Sequence, residues 1–236
     1  MINFKNIKII SFDADDTLWQ NENLFRKTEC DFCKLMTPYS IPKKALKILW
    51  DMEVKNIPCY GYGVKAFVLD MLEAALKISK NKISAKETKQ IIDLGKELLE
   101  SPIVLFEGAE NTLKKLSKKY KIIVTTKGDL LEQENKVYRS GLMKYLRHIE
   151  VMSEKNKTSY ARLIKELNIK PQEFLMVGNS IKSDILPVLT IGANAVFIPS
   201  KFTWFYEDGD ASKIPTKNFM KLNEISELLK VLLNAA

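Results

Sequence analysis

Ile9-Ile10-Ser11-Phe12-Asp13-Ala14-Asp15-Asp16-Thr17-Leu18-Trp19 is an apolar run that ends in three carboxylates within four residues. A short run rich in β-branched residues and bounded by polar turn formers predicts a buried strand over residues 8–12. The acids then sit at its C-terminal end. In open parallel α/β sheets ligands bind at that end, where strand order reverses. Asp13 and Asp15, two residues apart at a strand end, repel one another and need a cation or a shared proton to coexist. A hard divalent ion with oxygen ligands, such as Mg²⁺, meets that need. The same residue types also spell a turn or a helix N-cap, so the rest of the chain has to decide between the two.

After Trp19 the chain changes character. Residues 22–36 read as one helix and 42–55 as a second with Pro42 at its start; Ile57-Pro58 followed by Gly61-Tyr62-Gly63 breaks the pattern. Two more helices are predicted over 64–79 and 84–100. The first carries Val64, Phe67, Val68, Met71, Leu72, Ala75 and Leu76 at helical spacing, and the second opens on Ser84-Ala85-Lys86-Glu87, the spelling of a capping box. From Glu107-Gly108 strands and helices alternate. A helix over 109–119 leads to a strand over 121–125, the polar turn Thr126-Lys127-Gly128-Asp129 and a helix ended by Gly141. A strand over 148–152 and a helix over 158–167 follow, then the buried run Phe174-Leu175-Met176-Val177 before Gly178-Asn179-Ser180-Ile181-Lys182-Ser183-Asp184. A helix starts near Ser183 with Pro187 in its first turn; a strand over 195–198 and a closing helix over 224–233 complete the chain. This rhythm implies right-handed parallel crossovers.

The D-x-D-x-T pattern Asp13-Ala14-Asp15-Asp16-Thr17 after a hydrophobic strand resembles the first motif of the haloacid dehalogenase (HAD) superfamily. Thr126-Lys127-Gly128 resembles the second, often T-N-G, and matches that triplet better from Thr126 than from Thr125. Ser153-Glu154-Lys155-Asn156-Lys157 stands where the family places a lysine. Lys155 and Lys157 are both candidates, and counting back from the fourth motif favours Lys155. The segment Gly178 to Asp184 resembles that fourth motif, G-D-x-x-x-D, with Asn179 in place of the first acid. Four motifs in order around a helical insertion extend the resemblance over essentially the whole chain. It implies an α/β fold: a Rossmann-like parallel sheet core over 1–19 and 102–236, and an inserted all-helical cap over 20–101.

The resemblance also implies roles. Asp13 is the nucleophile that takes a phosphoryl group, splitting one hard step into two easier ones; Asp15 works as general acid and then base. Thr126, with Lys127 beside it, grips the phosphoryl oxygens, and Lys155 neutralises nucleophile and phosphate, a role suited to a compact point charge. Asp13, the main-chain carbonyl of Asp15 and Asp184 would share one Mg²⁺, with Asn179 offering its side-chain carbonyl or holding a metal-bound water. Within the cap, Tyr60, Tyr62 and Lys65, around the Gly61/Gly63 break, are candidates for contact with the substrate; simple packing is the competing account of each. The expected activity is that of a Mg²⁺-dependent phosphatase acting on a small phosphorylated metabolite through an aspartyl-phosphate. One alternative is halide displacement of the haloacid dehalogenase type, against which Asp15 argues, because dehalogenases of the family lack an acid there. The other is a non-catalytic binding protein on the same fold, for which Asn179 is the only sequence support.

Composition sets wider bounds. The 236 residues are 46% hydrophobic and 28% charged, ordinary for a globular chain of one domain or one domain with an insertion. No apolar run approaches the ~18 residues of a membrane span, and the first twelve residues lack the h-region and cleavage site of a signal peptide, so a cytoplasmic protein with no membrane partner is expected. The net charge of +8 is spread along the chain. Without a basic stripe or a reading module it does not indicate nucleic acid, although a positive field favours anionic substrates. Cys30-Asp31-Phe32-Cys33 is formally C-x-x-C, but Cys59 is the only other cysteine and His148 the only histidine; reduced, structural cysteines are expected. The aromatic run Phe202-Thr203-Trp204-Phe205-Tyr206 either packs against the core or forms a dimer surface, which leaves a monomer or a homodimer open.

Overall fold

The computed structural model of the chain describes residues 2–202, 204–207, 209, 210, 212 and 214–233, with Phe205 described by its backbone alone. The chain divides into two units. One comprises the chain up to Gln20, Ile103–Lys127 and the chain from Gln133; the other is Asn21–Pro102 together with Gly128–Glu132.

The second unit is helical. Its helices are α1 (Glu22–Leu35), α2 (Pro42–Tyr60), α3 (Val64–Ser79) and α4 (Ala85–Glu100). They enclose one apolar cluster in which Phe32, Met36, Leu49, Met71 and Ile91 are fully buried. At about 1.5–3 kcal/mol for each large apolar side chain taken from water, this interior is the main stabilising term of the unit. α4 begins with the capping box: Glu87 N donates to Ser84 Oγ at 3.2 Å and Ser84 N to Glu87 Oε2 at 2.8 Å. The predicted break at Pro58 is overturned. α2 runs through that proline to Tyr60 and stops at Gly61, whose φ of 72° ends it and whose N–H returns to the Ile57 carbonyl at 2.9 Å. A proline this close to a helix end forfeits one ladder bond, and the buried face of Ala45, Leu49, Met52 and Asn56 holds the helix together.

The first unit is built on a parallel sheet. Its strands are β1 (Ile9–Phe12), β2 (Lys121–Lys127), β3 (His148–Met152), β4 (Phe174–Gly178), β5 (Asn194–Phe197) and β6 (Phe219–Lys221), in the order β3-β2-β1-β4-β5-β6. β1 lies between β2 and β4, with Phe12 opposite both Val124 and Val177. β1 and β4 are buried along their whole length, as expected of strands covered on both faces. Alternation along them divides the core. Ile10, Phe12, Leu175 and Val177 join the cluster that contains α5 (Ala109–Leu116) and α9 (Leu228–Leu233). Ile9, Phe174 and Met176 join the opposite cluster, with α7 (Lys157–Glu166) and α8 (Leu186–Thr190). The remaining helix, α6 (Leu130–Arg139), follows β2. This is the doubly wound arrangement whose strand order reverses at β1.

Several details depart from the sequence reading. β2 continues two residues further, to Lys127. β6, three residues of an edge strand with no periodic signal, was not foreseen, and the closing helix is a 3₁₀ turn (Ile225–Glu227) followed by the short α9. In the aromatic run Phe202 is exposed, and the half-buried Trp204 and Tyr206 rings meet at 5.1 Å; Thr203 lies outside the described residues. Cys30, Cys33 and Cys59 are free thiols, of which only Cys33 is buried. Among the described residues no helix is long and apolar enough to cross a membrane.

Candidate active site

Asp13 leaves β1 with its N–H on the Val177 carbonyl of β4 at 2.8 Å, so its side chain emerges at the C-terminal end of the sheet where strand order reverses. The chain then doubles back. Leu18 N donates to Ala14 O and Asp16 N to Trp19 O, each at 2.8 Å, and Asp16 takes a left-handed φ of 59°, a conformation that aspartate tolerates better than most side chains.

Lys155, on the loop after β3, joins the first acid to the last. Its Nζ donates to Asp13 Oδ1 in a short contact and to Asp184 Oδ1 at 2.8 Å. Lysine, Asp13 and Asp184 are 3%, 7% and 1% exposed, so the charges meet away from bulk water. The alternative Lys157 instead opens α7 and is exposed. On the far side of Asp13, the Thr17 hydroxyl lies between Asp13 Oδ2 (2.9 Å) and Asn179 Oδ1 (3.0 Å).

Asp184 sits in a π turn, Ile181–Ile185, where its N–H bonds to Ser180 O and its Oδ2 accepts from Ser180 N at 3.0 Å. Four residues separate Asn179 from Asp184, one more than in the G-D-x-x-x-D pattern. The wide turn absorbs the extra residue, as π turns do in functional helices. Gly178 allows this carboxylate its place, since a Cβ there would fall 2.2 Å from Asp184 Oδ2.

Charge at the centre is unbalanced. Burial first, then Asp184 and Asp15, push the Asp13 carboxyl up to about 7 even though Lys155 pulls it down. Burial opposes the charge on Lys155, yet Asp13 and Asp184 hold its ammonium well above the ordinary lysine value. The buried Tyr160 hydroxyl, with no hydrogen-bond partner among the described residues, belongs to the same environment; burial raises it well above the ordinary tyrosine value although Lys155 pulls it down.

Asp15 faces elsewhere. Its carboxylate accepts from Trp19 Nε1 at 2.7 Å, Gln133 Nε2 at 3.0 Å and Lys136 Nζ at 3.0 Å. Thr126 Oγ1 donates to the other end of the same amide, Gln133 Oε1, at 3.2 Å, whereas Thr125 turns to Ser11 at 2.6 Å. Lys127 is drawn into a separate cluster. It donates to Ser183 Oγ at 3.0 Å and pairs with Glu207, whose carboxylate also accepts from the Ser180 and Ser183 hydroxyls. Burial raises Glu207, but Lys127 and the hydroxyls outweigh it and hold the acid below its ordinary value.

In the helical unit Tyr60 Oη donates to Glu73 at 2.6 Å and Lys65 Nζ to Asp129 at 2.8 Å. Tyr62 is half-buried. The structure thus brings Asp13, Lys155, Asp184 and Asn179 together around Thr17, sets Asp15 and Thr126 on Gln133, and gives Tyr60 and Lys65 carboxylate partners of their own.

Thr17, Gln133, Lys136, Ser180, Ser183 and Glu207 were not singled out in the sequence as site residues. Thr17 is part of the quoted first motif, and Gln133 and Lys136 stand one turn apart on the helix after the second, which is a readable signal. Glu207 has none, because it reaches Lys127 from 80 positions away.

The donors suit Mg²⁺. Among the described residues no three acidic, cysteine or histidine side chains form a ready cage. Mg²⁺ takes only one or two carboxylates and keeps water or phosphate oxygens for the rest. Two carboxylates converging on the single Lys155 ammonium, with the Asn179 amide oxygen beside them, match that requirement.

Residues 7–188 match the family model of haloacid dehalogenase-like hydrolases. The chain belongs to that family. It resembles a haloacid dehalogenase-like family hydrolase of Xanthomonas campestris, known from its crystal structure, with a TM-score of 0.86 and 30% identity over 98% of this chain and 92% of the other. It is 25% identical to the glyceraldehyde 3-phosphate phosphatase of Pyrococcus furiosus, over 97% of this chain and 94% of that one. Similarity to the glyceraldehyde 3-phosphate phosphatase of Methanothermobacter thermautotrophicus is 24% over 84% and 88%.

Proposed function

We propose that this hydrolase cleaves the phosphomonoester of a small metabolite, with Asp13 as the group that takes the phosphoryl. The convergence of Lys155 on Asp13 and Asp184 in the crevice at β1 carries the reading. A carboxylate fixed at a strand end by a main-chain hydrogen bond, with a buried ammonium against one oxygen, is placed for in-line attack on an anionic phosphorus centre.

Asp13 attacks phosphorus as the bond to the ester oxygen breaks, and the leaving oxygen takes a proton from Asp15. Water then gives a proton to Asp15 and attacks the phosphorus of the acyl phosphate, releasing inorganic phosphate and restoring the Asp13 carboxylate. Lys155 and Thr126 face the charge that spreads over the transferring oxygens, where positioning and electrostatics supply most of the rate. Asp13, Asp184, the Asp15 main-chain carbonyl and the Asn179 side-chain carbonyl would hold Mg²⁺, whose charge offsets that of the carboxylates and the phosphate. Lys127, tied to Ser183 and Glu207, stays a candidate for contact with the phosphoryl group. Tyr60, Tyr62 and Lys65 stay candidates for choosing among leaving groups. The names of the two archaeal relatives make glyceraldehyde 3-phosphate the first substrate to try.

Phosphate release from p-nitrophenyl phosphate and a panel of phosphorylated metabolites, with Mg²⁺ and with EDTA, tests the reading on wild type and Asp13→Asn. Release that needs Mg²⁺ and disappears in Asp13→Asn is the expected result. Release indifferent to the substitution, or none from any phosphomonoester by folded protein that binds Mg²⁺, overturns it.

A further inference from the structure

Gln133 is 1% exposed, and both ends of its amide are used. Nε2 donates to Asp15 Oδ2 at 3.0 Å, and Oε1 accepts from Thr126 Oγ1 at 3.2 Å. Asp15 lies in the turn after β1 and Thr126 is the penultimate residue of β2, so one buried side chain ties together the ends of two adjacent strands. The orientation of the amide is determined. Turned over, it would set its oxygen against the Asp15 carboxylate, an unpaired buried acceptor facing another.

We propose that Gln133 is a positioning residue that aims Asp15 at the leaving oxygen. The proposal rests on the reading above, in which Asp15 protonates that oxygen. Trp19 fixes Oδ1, and Lys136 reaches both oxygens, at 3.1 and 3.0 Å. An ammonium is a point charge that follows a rotating carboxylate without orienting it. Gln133 is the directional donor on Oδ2, and through Thr126 it refers the direction of Asp15 to a second predicted contact of the phosphoryl group. A displacement of about 1 Å in such a group is worth about 100-fold in rate.

The leaving group supplies a readout that a purely structural role would not move. p-Nitrophenolate departs without a proton, whereas the alkoxide of β-glycerophosphate needs one. kcat/KM reports only the steps up to phosphoryl transfer, so the later work of Asp15 on water does not enter. In Gln133→Met, kcat/KM for β-glycerophosphate falls about 10- to 100-fold further than that for p-nitrophenyl phosphate, a selective loss that reaches the lower bound of what a positioned proton donor contributes. Gln133→Glu, of the same shape, keeps an acceptor for Thr126 but cannot as a carboxylate donate to Asp15, and it gives the same selective loss; it decides the matter if the methionine variant fails to fold. Equal loss on both substrates, or no loss on either, overturns the proposal. The comparison is made where wild type turns over both substrates and Asp13→Asn neither; a silent wild type overturns the phosphatase reading itself, a different outcome from an active wild type with an unselective variant.

Discussion

Replacing Lys155 by methionine removes the cation between Asp13 and Asp184 and keeps most of the stem's apolar volume. All three side chains are buried, so the acids cannot recover their hydration. Removing one partner of a buried ion pair costs about 3–5 kcal/mol. In a chain of this length each kcal/mol moves the melting midpoint by roughly 2–4 °C, so the variant melts roughly 6–20 °C lower. The deficit varies with pH in a direction set by Asp13, whose carboxyl is raised from 3.8 to about 7 by burial with Lys155 present. An acid raised in the folded state loses native stability as pH climbs from its unfolded to its folded value, then levels off. The Asp13 contribution in wild type therefore levels off near pH 7. Without the ammonium the folded value rises further, and the variant goes on losing stability above pH 7. The contribution of Lys155, raised in the fold, is complete below the unfolded lysine value of 10.5 and is lost only as pH climbs from there through the folded value, outside this range. Thermal melts followed by circular dichroism in EDTA, from about pH 5.5 to about 8.5, give curves that run parallel on the acid side and diverge on the alkaline side. A deficit that widens toward acid, or a variant as stable as wild type at the alkaline end, would refute the account of this centre as two acids held by one lysine.

Gly178→Ala places a Cβ 2.2 Å from Asp184 Oδ2, an overpacking worth about 1–3 kcal/mol; a urea denaturation midpoint unchanged from wild type would show that the close approach is not required. Glu207→Gln removes one carboxylate from the half-buried Lys127, which keeps Glu154 at 3.6 Å, and weakens the Ser180 and Ser183 bonds, a loss of roughly 1.5–3 kcal/mol for hydrogen bonds to a charged group. Because Glu207 is lowered in the fold, its contribution is complete above its unfolded value of 4.5 and fades as pH falls through the folded one. The stability gap between this variant and wild type should therefore be full at neutral pH and close in acid; a gap that persists there would mean that packing, not charge, holds the cluster.

Much of this protein was legible in its amino-acid order because local rules govern those parts. The β-branched run ending in Asp13, the capping box at Ser84 and the alternation of strand and helix from Glu107 onward rest on backbone preference and periodicity, which act within a few residues. Resemblance to the haloacid dehalogenase motifs marked Asp13, Asp15, Thr126, Lys155 and Asp184 as candidates; each stands at the end of a strand or in the segment that follows one, and a parallel sheet gathers those segments at one edge. Tertiary structure decided what those side chains meet. Asp15 turns to Gln133 and Lys136, Lys127 to a glutamate 80 positions away, and Tyr60 and Lys65 to acids within the helical unit. Pro58 stays inside α2, and a π turn takes up the additional residue before Asp184. Buried charges and hydroxyls must find partners wherever the fold supplies them, and those partners come from segments whose separation along the chain carries no periodic signal.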